Sequence, residues 1–425
     1  MPRIDGETLR SWRRSRGWDV PEMARQLRRA AGSGPMPAHD SLIRQIRGWE
    51  HGDHEISERY ELLYRALGAG RRQDVPADED EPVRRLDFLT LTGAAAAGLL
   101  ARSVTGDLGA ARQAVPRGLV DETAVSALTA ITGAQRRLEA TTPARDLTES
   151  TLAHARAARR MLERAGDAPV AAGVAAALSE ACGLAAWLHA DMADIGSARN
   201  CYRLAVHAAW QARSGLLAAY MLGSLAAFEA DSGVAAIGMP LLEEATRQIR
   251  LAAPHPTPLA WLHAVQALTL AGTPGSGEAA WRALGHAEQV LDRGGGPASP
   301  PWPWVFSFDY RKLAGYRARV AVQLSQPAAA LAAFSEALPS ASTAPKQQAI
   351  ITLDVATATC QEGCAAKDAG QVEHAFSLAS GALTAGVTFG SDRVVERSWQ
   401  FRRSYTGPVT SRVRDFDEQL RMAVA

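Results

Sequence analysis

The stretch Ser41-Leu-Ile-Arg-Gln-Ile-Arg-Gly-Trp-Glu50 decides the fold of the N-terminal part of this chain. Its large apolar residues recur at the spacing of one face of an α-helix: Leu42, Ile46 and Trp49. Polar or small residues occupy the opposite face: Ser41, Arg44, Gln45 and Gly48. The pattern predicts a helix that buries one side and exposes side chains of the types that hydrogen-bond to base edges in a DNA major groove.

Three further helices are predicted around this stretch. Residues 7–17 place Leu9 and Trp12 on one face and end in Gly17, a residue type common just after a helix. Asp19 and Glu22 have the spacing of a capping box, so a second helix is expected over about 20–29, before a Gly- and Pro-rich loop. A fourth helix is expected over about 57–67. Further residues expected to pack in this region are Met23, Ala24, Leu27, Tyr60, Leu63, Tyr64 and Leu67.

Residues 5–68 resemble the Cro/repressor-type (XRE) helix-turn-helix family. The matching positions are Leu9, Arg13, Gly17, Met23, Ala24, Ile46, Trp49, Glu50 and Gly52. The resemblance implies a DNA-binding domain in which Arg13 pairs with Glu50 as a structural contact. It also implies a set of residues in or beside the base-reading surface: Ser41, Arg44, Gln45 and Arg47. The chain departs from the family at Val20, where the family has Gln, and in a longer connection between helices two and three.

Basic residues are concentrated at the N-terminus. Residues 1–73 hold fourteen Arg against ten Asp plus Glu, an excess of four positive charges in a chain whose net charge is +1. An acidic run that includes residues 78–81 follows. A local basic excess of this kind fits contact with DNA phosphates. We therefore divide the chain into a DNA-binding domain (1–70), a linker with a candidate helix (71–118) and a repeat domain (119–425).

The chain is expected to be all-α. Ala and Leu dominate, aromatic residues make up only 6%, and β-branched residues rarely alternate with polar ones. A small-x3-large-x2-Ala pattern recurs at intervals of 40, 40, 42, 50 and 45 residues. Its first positions are Ala158, Ala198, Gly238, Ala280, Ala330 and Ala375. These units resemble the second helix of tetratricopeptide (TPR) repeats, which implies an α-solenoid of helical hairpins with an extended concave surface.

Five side chains on predicted helices are candidates for binding an effector on that concave surface: Trp187, Trp210, Tyr220, Trp261 and His263. Large aromatic residues at helical spacing are also typical of a helix core. Both interpretations remain open from the sequence.

No catalytic or cofactor motif is found. The chain lacks His-Glu-x-x-His, Gly-x-Ser-x-Gly and Cys-x-x-Cys, and the glycine-rich stretch 272–277 lacks the residues of a phosphate-binding loop. We therefore expect no enzyme activity, no cofactor and no bound metal. Cys360 and Cys364 share a helix face, where they are either a metal pair or two small buried residues.

The chain is expected to be cytoplasmic. Its four scattered Cys residues do not form a disulfide framework, and no segment is expected to supply the roughly 18 apolar residues that cross a bilayer. Arg84-Arg85, followed by a small apolar run, is similar to a twin-arginine export signal. Because this segment lies more than eighty residues inside the chain, a linker helix is the alternative.

Together these features predict a sequence-specific regulator of transcription that binds double-stranded DNA. Its repeat domain is expected to bind an effector (a peptide, a small molecule or a protein), to form a homodimer, or both. The layout is similar to that of actinobacterial regulators of development and secondary metabolism. The alternative is a TPR-like scaffold or anti-regulator that binds protein partners without reading a DNA sequence.

Overall fold

Every regular element in the described part of the chain is an α-helix. The computed structural model describes residues 4–15, 18, 20–31, 36–67, 120–251, 256–293, 308–337 and 344–423. These ranges contain eighteen helices and no strand, so the all-α prediction is confirmed. The predicted linker, with its candidate helix and Arg84-Arg85, lies outside the described residues.

The N-terminal helices are α1 (Gly6–Ser15), α2 (Val20–Ala31), α3 (His39–His51) and α4 (Glu58–Ala66). Each begins and ends within two residues of the predicted bounds. Their apolar faces meet in one core, whose side chains are at most 1% exposed: Leu9, Met23, Leu27, Leu42, Ile46 and Tyr64. The spacing of apolar residues therefore identifies both the helices and the faces that they bury.

Gly48 departs from the predicted exposed face. It is buried, because the ring of His54 in the turn after α3 covers it, and a Cβ at Gly48 would lie 3.1 Å from His54 Cδ2. The turn passes through Gly52 at φ +81°, a left-handed conformation that glycine adopts without strain. The exposed face of α3 is thus narrower than the sequence predicts. Gly17 and Asp19 lie outside the described residues.

Fourteen helices follow in the described residues after residue 119. They are α5 (Glu122–Glu139), α6 (Ala144–Leu162), α7 (Ala168–Asp191), α8 (Ile195–Gln211), α9 (Gly215–Asp231), α10 (Ala235–Leu251), α11 (Pro256–Ala271), α12 (Gly277–Arg293), α13 (Tyr310–Gln323), α14 (Pro327–Ala337), α15 (Pro345–Ala366), α16 (Ala369–Thr388), α17 (Asp392–Ser404) and α18 (Ser411–Met422). Most of the turns between them are short, and the helices pack as successive pairs, α5 with α6 through to α17 with α18.

The first helices of the pairs form an inner row. The row consists of α5, α7, α9, α11, α13, α15 and α17, and each helix before α17 packs against the next one. In addition, α17 packs against α7, so the row turns back on itself. This return brings together residues that are about 200 positions apart in the sequence.

The recurring sequence pattern marks the second helix of six of the seven pairs, all except α17 with α18. Its small first residue is buried in every case: Ala158, Ala198, Gly238, Ala280, Ala330 and Ala375. A Cβ at Gly238 on α10 would lie 2.8 Å from Thr269 Cγ2 on α11, which shows how closely these helices approach. Ala158 stands near the end of α6, whereas the other five stand within the first two turns of their helices. The first unit is therefore out of phase with the rest.

Helix α7 contradicts the expectation that no segment is apolar enough to cross a membrane. It has 24 residues and is, by length and composition alone, long and apolar enough to cross a membrane. The expectation was wrong because it required an unbroken apolar stretch, whereas α7 has a high mean hydropathy although Glu180 interrupts its apolar residues. In the structure 72% of its most apolar window is buried, and it packs against α5, α6, α8, α9 and α17. This burial is typical of a core helix.

Candidate nucleic-acid interface and inner cavity

Arg13 on α1 and Glu50 on α3 form a buried bidentate ion pair. Arg13 Nε donates to Glu50 Oε1 and Nη2 donates to Oε2, each at 2.6 Å. Arg13 Nη1 also donates to the carbonyl oxygen of Trp18 at 2.7 Å. Two parallel hydrogen bonds between a planar guanidinium and a carboxylate fix orientation as well as distance. The pair therefore holds the end of α3 against α1, and it joins the two residues that the family resemblance pairs.

The outer face of α3 carries the four predicted base-reading residues. Arg44, Gln45 and Arg47 are exposed and Ser41 is half-buried. Arg44 Nη2 lies 3.3 Å from Ser41 Oγ, to which it donates. Among the described residues neither Arg44 nor Arg47 forms an ion pair with a carboxylate. Both guanidinium groups are thus available to a ligand outside the chain.

The inner row of helices lines most of a partly open cavity of about 1180 Å³, to which α2 contributes Arg25. Aromatic side chains from four successive inner helices line it: Trp187, Tyr220, Trp261 and Tyr316. Trp261 Nε1 donates to the Tyr316 hydroxyl at 2.9 Å, and the rings of Tyr220 and Trp261 lie 5.6 Å apart between centroids. The aromatic residues therefore give the cavity a largely apolar wall.

A network of guanidinium and carboxylate groups lies in the wall of the cavity. Arg319 on α13 contacts both Asp231 on α9 and Asp354 on α15, the latter at 3.7 Å. Arg393 Nη2 donates to Asp231 Oδ2 at 3.1 Å, and Arg397 Nη2 donates to Asp354 Oδ1 at 2.9 Å. Four inner helices are linked by these contacts. Burial raises the pKa of Asp231, but Arg319, Arg393 and Arg397 lower it by more. The net effect is a pKa of about 2.

A second group of polar contacts joins the beginning of the row to its end. Lys346 on α15 lies 3.0 Å from Asp191 Oδ2 and 3.8 Å from Glu139 Oε1. The Ser391 hydroxyl, just before α17, donates to Asp191 Oδ1. Trp187 Nε1 donates to Glu139 Oε1 at 3.0 Å. Lys346 and Asp191 are both buried, so the ammonium and carboxylate are screened little by solvent.

No protein-family model, curated protein or solved structure matches this chain. What its two surfaces bind must be inferred from their own chemistry.

The cavity gathers three of the five predicted effector-binding residues, namely Trp187, Tyr220 and Trp261. His263 is not among the lining residues; it lies two positions after Trp261, and residues i and i+2 point in different directions from a helix. It contacts the ring of His286, at 5.6 Å between centroids. Trp210 lies on α8, a second helix, and packs against the helix core. His263 lies outside the cavity wall because α11 lines the cavity with only one of its faces. Trp210 lies outside it because its side chain packs into the helix core.

Sequence reasoning missed the charged residues of the cavity: Glu139, Asp191, Asp231, Arg319, Lys346, Asp354, Arg393 and Arg397. A signal was present in the sequence. Three carboxylates, those of Glu139, Asp191 and Asp231, stand at the last residue of α5, α7 and α9, where the helix dipole disfavours negative charge. Lys346 and Arg393 stand in the first turn of α15 and α17, where it disfavours positive charge. Charges placed against the dipole indicate partners outside their own helix.

Cys360 and Cys364 lie on α15 and share one helix face. Cys360 is buried and Cys364 is exposed, so only one of the two fits the prediction of a buried pair. Within the described ranges, no group of three or more His, Cys, Asp or Glu side chains has an arrangement that could hold a metal ion.

Proposed function

We propose that this chain is a sequence-specific DNA-binding regulator of transcription. In this proposal α2 and α3 form a helix-turn-helix of the XRE type, and α3 is the helix that enters the major groove. The observation that carries the proposal is the outer face of α3, where Arg44, Gln45 and Arg47 are exposed on a helix whose other face is buried.

The chemistry of that face suits a DNA major groove. An Arg guanidinium can donate two hydrogen bonds to guanine, and a Gln amide can pair with adenine. Arg47, one turn along the exposed side, can neutralise a backbone phosphate. Because the Arg13–Glu50 pair fixes α3 against α1, the helix that carries these side chains is already ordered, and little backbone entropy is lost when it binds DNA.

The helices after residue 119 form, in this proposal, a TPR-like α-solenoid that senses an effector. An effector changes DNA affinity only if it binds the competent and incompetent states unequally. In a homodimer the two α3 helices read half-sites about 34 Å apart, so a change in the spacing of the protomers changes affinity. This regulator acts in the cytoplasm, where DNA is accessible.

The test is selection of bound DNA from a random double-stranded library by the intact chain. We expect an enriched motif, and we expect Arg44→Ala/Gln45→Ala to weaken or relax it by about 1–3 kcal/mol per lost base contact. The matched control is Arg412→Ala/Arg414→Ala, two exposed positions on α18, which should leave the motif unchanged. The midpoint of thermal unfolding is compared for all three proteins.

A DNA-binding face also predicts that affinity falls steeply as salt concentration rises, because phosphate contacts release counterions. Arg47→Ala should reduce that slope by about one counterion. If the folded chain selects no motif and is not retained on nonspecific DNA at low salt, the proposal fails, and the scaffold that binds only proteins becomes the better interpretation.

A further inference from the structure

The guanidinium groups in the cavity exceed the carboxylates that hold them. Arg319, Arg393 and Arg397 contact two carboxylates, those of Asp231 and Asp354. Three positive charges against two negative ones leave one positive charge in excess. Such an excess is costly in a partly buried cluster unless a further anion offsets it.

Arg393 and Arg397 also retain unused hydrogen-bond donors. They stand one turn apart on α17, line the cavity, and their side chains are 20% and 23% exposed. Each makes one hydrogen bond to a carboxylate, although a guanidinium carries five N–H groups. Arg393 also lies over the Trp187 ring, 4.8 Å from its centroid. A cation held against an aromatic face leaves its N–H edge open to an anion.

Arg136 adds an unsatisfied donor to the same wall. It lies on α5 and lines the cavity, and its buried Nε has no hydrogen-bond partner among the described residues. Arg136, Tyr202 and Arg393 line the same cavity, and the two guanidinium groups lower the pKa of the Tyr202 hydroxyl against the effect of burial. A buried donor without an acceptor in the protein is free to hydrogen-bond to a ligand or to water.

The other carboxylates of the cavity wall do not offset its positive charge, because nine Lys or Arg residues line the cavity against five Asp or Glu residues. Asp191 and Glu139 accept hydrogen bonds from Ser391 and Trp187 in addition to their contacts with Lys346. Glu396 on α17 forms an ion pair with Arg403, Nη2 to Oε1, at 2.9 Å. The negative charges of the wall are thus already engaged.

We propose that the cavity binds a small organic anion with an aromatic body. Its carboxylate, sulfonate or phosphate group would contact Arg393 and Arg397, and its rings would lie against Tyr220, Trp261 and Tyr316. The volume of about 1180 Å³ suits such a molecule, since pockets for small ligands combine an apolar wall with a few polar groups. That the bound anion is an effector rests on the proposed function; that the cavity binds it does not.

The test uses two fluorescent probes on the intact chain in the absence of DNA. They are 8-anilinonaphthalene-1-sulfonate and the neutral N-phenyl-1-naphthylamine, which share their rings and differ by the sulfonate. We expect the sulfonate to bind about tenfold or more tightly than the neutral probe, because a hydrogen-bonded charge contributes at least that much. Equal affinity for the two probes would overturn the proposal.

The double variant Arg393→Gln/Arg397→Gln separates anion recognition from apolar binding. In this variant Arg319 still contacts both Asp231 and Asp354, so each carboxylate keeps an ion-pair partner. We expect sulfonate affinity to fall about tenfold or more and affinity for the neutral probe to stay within about twofold. The control Arg412→Gln/Arg414→Gln removes the same charge from the exposed face of α18 and should change neither affinity.

A single variant covers the case in which the double variant does not fold. If the double variant fails to fold by circular dichroism, Arg397→Gln alone should weaken sulfonate binding about threefold to tenfold. A folded variant that binds the sulfonate like the wild type would overturn the proposal. Arg44→Ala/Gln45→Ala should bind both probes normally, so failure of DNA binding and failure of anion binding are distinguished.

Discussion

Asp191 and Ser391, 200 residues apart in the sequence, share a hydrogen bond that joins the last residue of α7 to the residue before α17. Lys346, 155 residues after Asp191, contacts the other carboxylate oxygen at 3.0 Å. Both contacts are buried. The inner row of helices thus closes through one carboxylate, and the cavity depends on that closure for its shape.

Asp191→Asn should destabilise the repeat region. The change leaves the buried Lys346 ammonium with only the longer ion pair, that to Glu139, so we expect a loss of about 3–5 kcal/mol in the free energy of unfolding. Urea unfolding followed by circular dichroism measures the loss. The control is Asp415→Asn, an exposed position on α18, which should change stability by less than about 0.5 kcal/mol. An equal effect of the two changes would show that Asp191 does not hold the row closed.

Arg13→Ala should unfold or loosen the N-terminal helices selectively. It leaves the Glu50 carboxylate buried without its bidentate partner, at a cost of about 3–5 kcal/mol. Hydrogen exchange of the intact chain, followed by mass spectrometry, should show faster exchange in α1–α4 and unchanged exchange in α5–α18. Arg47→Ala, on the exposed face of α3, is the control and should alter neither. Unchanged protection of α1–α4 in the Arg13 variant would contradict a structural role for the pair.

Glu180→Gln should remove a pH dependence of stability. Burial raises the pKa of Glu180 to about 8 from the ordinary 4.5, although Arg136 acts in the opposite direction. Between these two pKa values the folded chain binds a proton that the unfolded chain has lost, so stability due to this carboxyl falls as pH rises. As pH rises across this window, the free energy of unfolding of the variant relative to that of the wild type should therefore increase by at most about 1.4 kcal/mol per pH unit.

Thermal midpoints at pH 5, 6.5 and 8 would test this slope, with Glu149→Gln, an exposed position on α6, as control. The difference between wild type and Glu180→Gln should be smallest at pH 5 and largest at pH 8. Parallel curves would show that the Glu180 carboxyl does not titrate as its burial implies.

Gly223→Ala should strain the cavity wall. A Cβ at this position on α9 would lie 2.6 Å from ring atoms of Trp261 and 2.7 Å from Leu262 Cδ2 on α11. Because a packed ring cannot move freely, we expect a loss of about 1–3 kcal/mol and weaker binding of both fluorescent probes. Gly285→Ala on α12 is the matched control, since a Cβ there meets nothing within 4 Å. It should instead stabilise the chain by about 0.5–1 kcal/mol, and a similar loss in both variants would contradict the close approach.

Much of the fold was predictable because helix faces are local. Leu42, Ile46 and Trp49 bury themselves as their spacing predicts, and the small residues of the recurring pattern lie between packed helices. Gly48 was placed on the wrong face because its burial depends on His54, whose position follows from a turn that helical periodicity does not describe. The aromatic residues Trp187, Tyr220 and Trp261 were recognised as candidates, but periodicity alone did not separate them from Trp210 and His263.

The sequence by itself determined the helices, the faces that they bury and the second helix of six of the seven pairs, since these depend on residues within a few positions of one another. Only the tertiary structure decided which charges meet. The inner row turns back on itself, and this brings together the side chains of Asp231, Arg319, Asp354 and Arg397. The turn results from small rotations that accumulate from one helix pair to the next. A local sequence pattern does not predict this accumulated rotation. The cavity and its excess positive charge therefore follow from the packing of the whole array.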